Sequence, residues 1–126
     1  MANSSCCTKG MRNFVAAICI AALSAFISTP PASATQPVTI KAKNFAFTPG
    51  IVTLKKGQPT AITFVATQGV HGLTAPDIGL NKTVTITNSP TTVTVTPHKL
   101  GTFTSHCAIF CGIGHTKMQI VFKVVK

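Results

Sequence analysis

The segment from Cys107 to Met118 brings several potential metal ligands into one short stretch of chain. Its sequence, CAIFCGIGHTKM, contains the thiols of Cys107 and Cys111, the imidazole of His115 and the thioether of Met118. Thiolate and thioether sulfur select Cu(I), zinc or iron–sulfur iron, and imidazole suits copper and zinc. Carboxylates, which bind calcium and magnesium, are absent from this segment. The residue types therefore indicate a site for a soft or borderline metal.

Spacing alone leaves several interpretations of these residues open. A disulfide between Cys107 and Cys111 is the usual state of a cysteine pair in an exported protein, but it gives His115 and Met118 no role. A structural zinc site needs four ligands and does not select methionine. A mononuclear type 1 copper centre would use four ligands, His71, Cys111, His115 and Met118, and would leave the Cys107 thiol over. Two thiolates that bridge two copper ions would use every sulfur and nitrogen of the set.

The order of these ligands resembles that of a known copper domain. The pattern Cys-x3-Cys-x3-His-x2-Met, with His71 upstream, is similar to the binuclear copper (CuA) centre of cytochrome c oxidase subunit II and nitrous oxide reductase. His71–Gly79 (HGLTAPDIG) resembles the subunit II stretch that begins at the first ligand and runs through Pro-x-x-Gly. Asn44–Pro49 (NFAFTP) and Lys56–Gly57 resemble the opening strands of cupredoxins. The resemblance implies an all-β, cupredoxin-like Greek-key sandwich.

The same resemblance implies how two copper ions would share the ligands. Both cysteines would bridge the ions, the upstream histidine and the methionine would complete one ion, and the downstream histidine and the backbone carbonyl of residue 109 would complete the other. The family usually has Glu at position 109, but isoleucine is admissible there because only the carbonyl binds. The implied ligands are His71, Cys107, Ile109 (through its carbonyl), Cys111, His115 and Met118.

The chain that must position these ligands has the pattern of β-strands. Valine, isoleucine, threonine and phenylalanine alternate, as in Thr92–Thr96 (TVTVT), between turns rich in glycine, proline and asparagine. About eight short strands are typical of an antiparallel Greek-key sandwich. The predicted strands are Val38–Ala42, Val52–Lys55, Thr60–Thr67, His71–Ala75, Thr83–Thr87, Thr91–Thr96, Gly101–His106 and Met118–Val125.

The N-terminus has the features of a secretory signal peptide. Lys9 and Arg12 supply the positive charge, residues 14–27 form an apolar run, and Ala32–Ala34 offers a small-residue cleavage site. We therefore predict a cleaved signal over residues 1–34 and a periplasmic or secreted product. An uncleaved N-terminal anchor is the alternative, although the apolar run is short for a membrane span.

The domain predicted for residues 35–126 is strongly basic. It carries nine lysines and a single acidic residue, Asp77, and it has no tryptophan or tyrosine. An exported protein does not meet nucleic acid, so the charge indicates a partner protein with an acidic docking surface or an anionic membrane surface. Subunit II receives electrons from cytochrome c through acidic and aromatic residues that this chain lacks. These departures from the family predict a standalone relative of subunit II that is not part of an oxidase.

Two functions follow from this ligand set. One is an electron carrier with a binuclear CuA-type centre, and the other is a module for copper delivery or storage. We do not expect an enzyme, because protein atoms fill every predicted copper position and leave none for a substrate. His98 and His106 are expected to lie at the surface, outside the site. Phe110 and Ile113 are expected to keep water away from the metal.

Overall fold

The computed structural model describes residues 37–126, and within them the chain is almost entirely β-structure. No α-helix occurs in this range, and no helix there is long and apolar enough to cross a membrane. Short 3₁₀ turns lie at Pro76–Ile78 and His115–Lys117. The strands are β1 (Val38–Lys43), β2 (Ala46–Thr48), β3 (Ile51–Lys55), β4 (Thr60–Ala66), β5 (His71–Ala75), β6 (Leu80–Ile86), β7 (Thr91–Val95), β8 (Gly101–His106) and β9 (Gln119–Val125).

These strands form two main sheets and a hairpin. One sheet has the order β2-β1-β4-β7, the other has the order β3-β9-β8, and β5 pairs with β6. Alternate residues face the core in β3, β4 and β9; in β4, for example, Ile62 and Phe64 are buried and Thr63 between them is half-buried. The predicted all-β sandwich is confirmed. The predicted signal peptide (residues 1–34) lies outside the described residues and stays a prediction.

All eight predicted strands are present, with small differences at their ends. The sequence pattern missed β2, because it has only three residues and Phe47 is its single buried side chain. The antiparallel pairing that the strand pattern indicated holds for four strand pairs, whereas β1 pairs with β4, and β3 with β9, in parallel. The alternation of polar and apolar residues shows which face of a strand is buried, but it does not show whether the neighbouring strand is parallel or antiparallel.

A single apolar core lies between the sheets and holds the strand ends in place. Its fully or almost fully buried members come from both sheets, and they include Ile40, Ile62, Phe64, Leu54, Ile120 and Phe122. The loop with the predicted ligands joins the end of β8 to the start of β9. Because both strands belong to the core, the two ends of this loop are fixed by the packing of the sandwich.

We expect Phe122→Ala to lower the free energy of unfolding by about 3–5 kcal/mol, because it leaves a cavity at a fully buried position of the central strand β9. Urea denaturation measures the change. Lys123→Ala is the matched control, since the neighbouring side chain is exposed, and it should change the value by less than about 0.5 kcal/mol. A loss at Lys123 as large as that at Phe122 would contradict the register of β9.

Candidate metal centre

Backbone hydrogen bonds hold the β8–β9 loop closed at its base and tie it to β5. The amide of Cys107 donates to the carbonyl of Met118 at 3.0 Å, and the amide of Ala108 donates to the carbonyl of Gly72 at 2.9 Å. Leu73 forms an isolated antiparallel bridge with Cys107. The first residue of β5, His71, therefore lies beside the first cysteine of the loop.

The structure brings the two predicted bridging cysteines together as free thiols. Their sulfur atoms are 3.8 Å apart, far beyond the roughly 2.05 Å of a disulfide bond. Two metal–sulfur bonds of about 2.3 Å each span up to about 4.6 Å, so one ion can contact both sulfur atoms. The thiol pair thus has the spacing of a metal-binding pair.

The other predicted ligands surround this thiol pair. The Sγ atom of Cys107 is 3.9 Å from Nδ1 of His71 and 3.2 Å from the carbonyl oxygen of Ile109. The Sγ atom of Cys111 is 3.7 Å from Nδ1 of His115 and 3.8 Å from Sδ of Met118. All the predicted donors therefore converge on one place.

The donor set fits a soft metal in chemistry as well as in spacing. The ligand atoms of His71, Cys107 and Cys111 all lie within 4.8 Å of one another. Two thiols, two imidazole nitrogens, a thioether and one carbonyl make up the cluster, and this mixture suits copper better than a hard cation. No carboxylate belongs to the cluster as the structure describes it.

The ring of His71 is oriented by a contact that the sequence did not indicate. His71 is fully buried, and its Nε2 atom is 2.7 Å from the carbonyl oxygen of Gln68. A carbonyl only accepts hydrogen bonds, so the neutral ring carries its proton on Nε2 and turns an unprotonated Nδ1 toward Cys107. Such a second hydrogen bond fixes the tautomer that a metal-binding histidine requires.

The cluster has a buried side and a side nearer to solvent. Cys107 and Met118 are buried together with His71, whereas Cys111 and His115 are only half-buried. Burial raises the pKa of the Cys111 thiol above its ordinary value, and the hydrogen bond and the charge of Cys107 raise it further. The Cys111 thiol is therefore protonated at neutral pH, and a metal ion must displace that proton on binding.

Phe45 supports the ligand loop, and the sequence did not indicate this role. A Cβ atom built on Gly112 would lie 3.0 Å from the Phe45 ring, and one built on Gly114 would overlap the ring. Gly112 also has φ of +128°, a conformation that favours glycine. Gly114 has φ of −83°, so the close approach of Phe45 is what restricts that position. In the sequence, the only trace of this packing is the pair of glycines, Gly112 and Gly114, between two of the predicted ligands.

Two further histidines and two apolar residues of the loop are exposed to solvent. His98 and His106 are exposed and lie outside the cluster, as expected. The expectation that Phe110 and Ile113 keep water from the centre was wrong, because they are 79% and 99% exposed. The ring of Phe110 lies beside a predicted ligand, with its centroid 5.7 Å from that of His115.

The sequence matches the family model of the cupredoxin-like domain over residues 15–121. No protein with a curated function matches it.

Solved structures with the same fold include a domain of cytochrome oxidase and a heme-copper terminal oxidase. The chain is similar to the periplasmic domain of subunit II of cytochrome oxidase from Bradyrhizobium japonicum, with a TM-score of 0.65 and 14% identity over 77% of this chain and 87% of that one. A heme-copper terminal oxidase dimer gives a TM-score of 0.60 and 23% identity over 73% and 66%. A mixed disulfide between a thioredoxin-like protein and subunit II of cytochrome c oxidase gives 0.61 and 13% over 81% and 88%.

We expect Gly114→Ala to lower the free energy of unfolding by about 1–3 kcal/mol, because the added methyl group overlaps the ring of Phe45. Urea denaturation of the metal-free protein measures this. Adding Phe45→Ala should recover part of the loss, so the double-mutant cycle should have a non-zero interaction energy. Gly50→Ala is the control, since the nearest atom to a Cβ there is 3.9 Å away. Additive effects of the two changes would show that the ring does not support the loop.

Proposed function

The chain belongs to the cupredoxin-like domain family, and we propose that it is an exported electron carrier with a binuclear, CuA-type copper centre. The observation that carries the proposal is the convergence of two free thiols, two imidazoles, a thioether and a backbone carbonyl, with neighbouring donor atoms 3.2–3.9 Å apart. Similarity to the periplasmic domain of an oxidase subunit supports the assignment at the level of the fold.

The proposed centre divides the ligands between two ions. Both cysteines would hold each ion, His71 and Met118 would complete the first, and His115 and the carbonyl of Ile109 would complete the second. Copper bound there supplies one-electron redox chemistry. The contacts of Cys107 support a centre that uses both sulfur atoms over a mononuclear type 1 centre, because Cys107 lies between His71 and Cys111 and contacts the Ile109 carbonyl. A mononuclear centre would leave this buried thiol without a ligand role.

The way in which the protein holds the ligands suits electron transfer. His71 comes from β5, and the remaining ligands come from a loop whose two ends are joined by the Cys107–Met118 hydrogen bond. Phe45 packs against the middle of the same loop. Ligands fixed from several directions change little in position when the charge of the centre changes, so the energy of reorganisation is small. A protein that releases copper to a partner needs ligands that can move apart.

The surface around the loop indicates how a redox partner would dock. Phe110 and Ile113 project from the loop into solvent, and Phe45 is partly exposed beside them. Lys43 precedes Phe45 by two residues, and Lys117 lies on the 3₁₀ turn between His115 and Met118. We propose that a partner with an acidic rim around an apolar surface contacts this region, and that the half-buried His115 is the ligand closest to it.

A second class of partner follows from the thiol pair. Copper binding requires both thiols in the reduced form, whereas the oxidising compartments that exported proteins enter favour the disulfide. Subunit II of cytochrome c oxidase forms a mixed disulfide with a thioredoxin-like protein. We propose that a dithiol reductase of that class reduces an oxidised Cys107–Cys111 pair before copper binds. The reductase would attack Cys111, because that sulfur is half-buried while Cys107 is only 4% exposed.

The carrier is distinguished from a delivery or storage module by voltammetry of the copper-loaded chain followed by incubation with an apo-oxidase. We expect a reversible one-electron wave that persists over repeated cycles, with the copper retained by the chain. Met118→Leu should shift the potential while the wave persists, because it removes one weak ligand at a buried position. His106→Ala is the control, since this exposed histidine lies outside the cluster, and it should leave the potential unchanged.

Rapid transfer of copper to the apo-oxidase, or loss of copper within a few redox cycles, would reject the carrier and support the delivery module. An equal shift of potential in the His106 and Met118 variants would show that the methionine is not a ligand.

A further inference from the structure

Lysines are concentrated at the end of the sandwich that is farthest from the β8–β9 loop, which we call the metal loop. Strand β9 begins at Gln119, directly after the loop, and its far end at Val125 is about 20 Å away at about 3.3 Å per residue. Around this far end the structure places a group of exposed lysines that we call the basic end. They are Lys55, Lys56, Lys99, Lys123 and Lys126.

Strand pairing brings the lysines of the basic end together from distant parts of the chain. Lys55 is in register with Val125, and the amide of Lys56 donates to the carbonyl of Val125 at 2.8 Å. The amide of Gly57 donates to the carbonyl of Pro97 at 2.7 Å, which places the turn containing Lys99 beside them. The remaining two lysines belong to β9 or follow it directly.

Apolar side chains are exposed among these lysines. Leu100, next to Lys99, is 43% exposed, and Val125, next to Lys126, is 42% exposed. The single acidic residue, Asp77, also lies toward this end, because the turn that it belongs to packs through Gly79 against Thr96. The basic end therefore combines a net positive charge with exposed aliphatic groups.

We propose that the basic end docks on an anionic lipid surface, with the metal loop pointing away from the membrane. Exposed lysines that flank aliphatic side chains are suited to an interface of anionic headgroups and acyl chains. The exposed Leu100 and Val125 beside Lys99 and Lys126 favour a lipid surface over an acidic polypeptide, because a lipid interface accommodates aliphatic groups as well as lysines. The proposal does not depend on copper.

The expected size of the effect follows from the number of charges. A lysine close to an anionic membrane increases binding about fivefold, so removing three of them should weaken it on the order of 100-fold. A lysine at the opposite end lies about 20 Å from the surface, which exceeds the Debye length of about 10 Å at 0.1 M salt. The loss of membrane binding when a lysine is removed therefore indicates how close that lysine lies to the membrane.

Sedimentation of the full-length chain with phosphatidylcholine vesicles that do or do not contain phosphatidylglycerol tests this. The basic-end variant carries Lys55→Gln, Lys56→Gln and Lys99→Gln. The matched control loses the same charge elsewhere, through substitutions at three exposed lysines outside the basic end: Lys41→Gln, Lys43→Gln and Lys117→Gln. The apolar segment at residues 14–27 is common to all variants, and vesicles without phosphatidylglycerol measure its contribution.

We expect the phosphatidylglycerol-dependent binding to fall on the order of 100-fold in the basic-end variant and by less than about fivefold in the control. Raising the salt to about 1 M should abolish it in every variant. Equal losses in the two variants would show that net charge alone governs binding and would overturn the proposed orientation. Soluble polyglutamate is the second probe. If the basic-end variant lost affinity for polyglutamate and kept its affinity for the vesicles, the surface would be a protein-docking site and the proposal would be wrong.

Discussion

The hydrogen bond between the Cys107 amide and the Met118 carbonyl is the constraint on which the candidate metal centre depends. It closes the ligand loop at the point where β8 ends and β9 begins, so the loop takes its position from two core strands. The bridge between Leu73 and Cys107 then brings β5 against the same point. Through these contacts, ligands that are distant in sequence meet at one end of the sandwich, although residues 37–126 contain no α-helix.

Two different surfaces lie at opposite ends of the sandwich. One is the ligand loop with its exposed apolar residues, and the other is the basic end. Long β-strands make this separation possible, since β9 connects the two ends directly. A carrier held at a membrane by its basic end would leave Phe110 and Ile113 free to contact a partner. The two surfaces can thus act at the same time because they do not overlap.

The sequence was sufficient to predict eight of the nine strands of residues 37–126 and the residues that the cluster contains. Side-chain alternation located eight strands, because burial on one face leaves a period of two in the sequence. The spacing of Cys107, Cys111, His115 and Met118 indicated a soft-metal site, because ligand chemistry depends on residue type. The structure places all of these residues together with His71, as expected.

The contacts that orient the ligands could not be predicted in the same way. The carbonyl of Gln68 carries no sequence signal, since every residue has a carbonyl group. The packing of Phe45 against Gly112 and Gly114 joins segments far apart in the chain. The outward direction of Ile113 depends on the path of the loop, so hydrophobic residue type suggested the opposite. Long-range geometry determines each of these features.

Electron paramagnetic resonance of the copper-loaded chain, together with its copper content, is the most direct measurement of the binuclear centre. The account predicts two copper ions per chain and a hyperfine pattern from one unpaired electron shared equally by two copper nuclei. Cys107→Ser should abolish that pattern, because the shared electron requires both bridging sulfur atoms. The account would be contradicted by one copper ion per chain with a hyperfine pattern from a single nucleus. It would also be contradicted by a Cys107–Cys111 disulfide that resists reduction and so excludes copper.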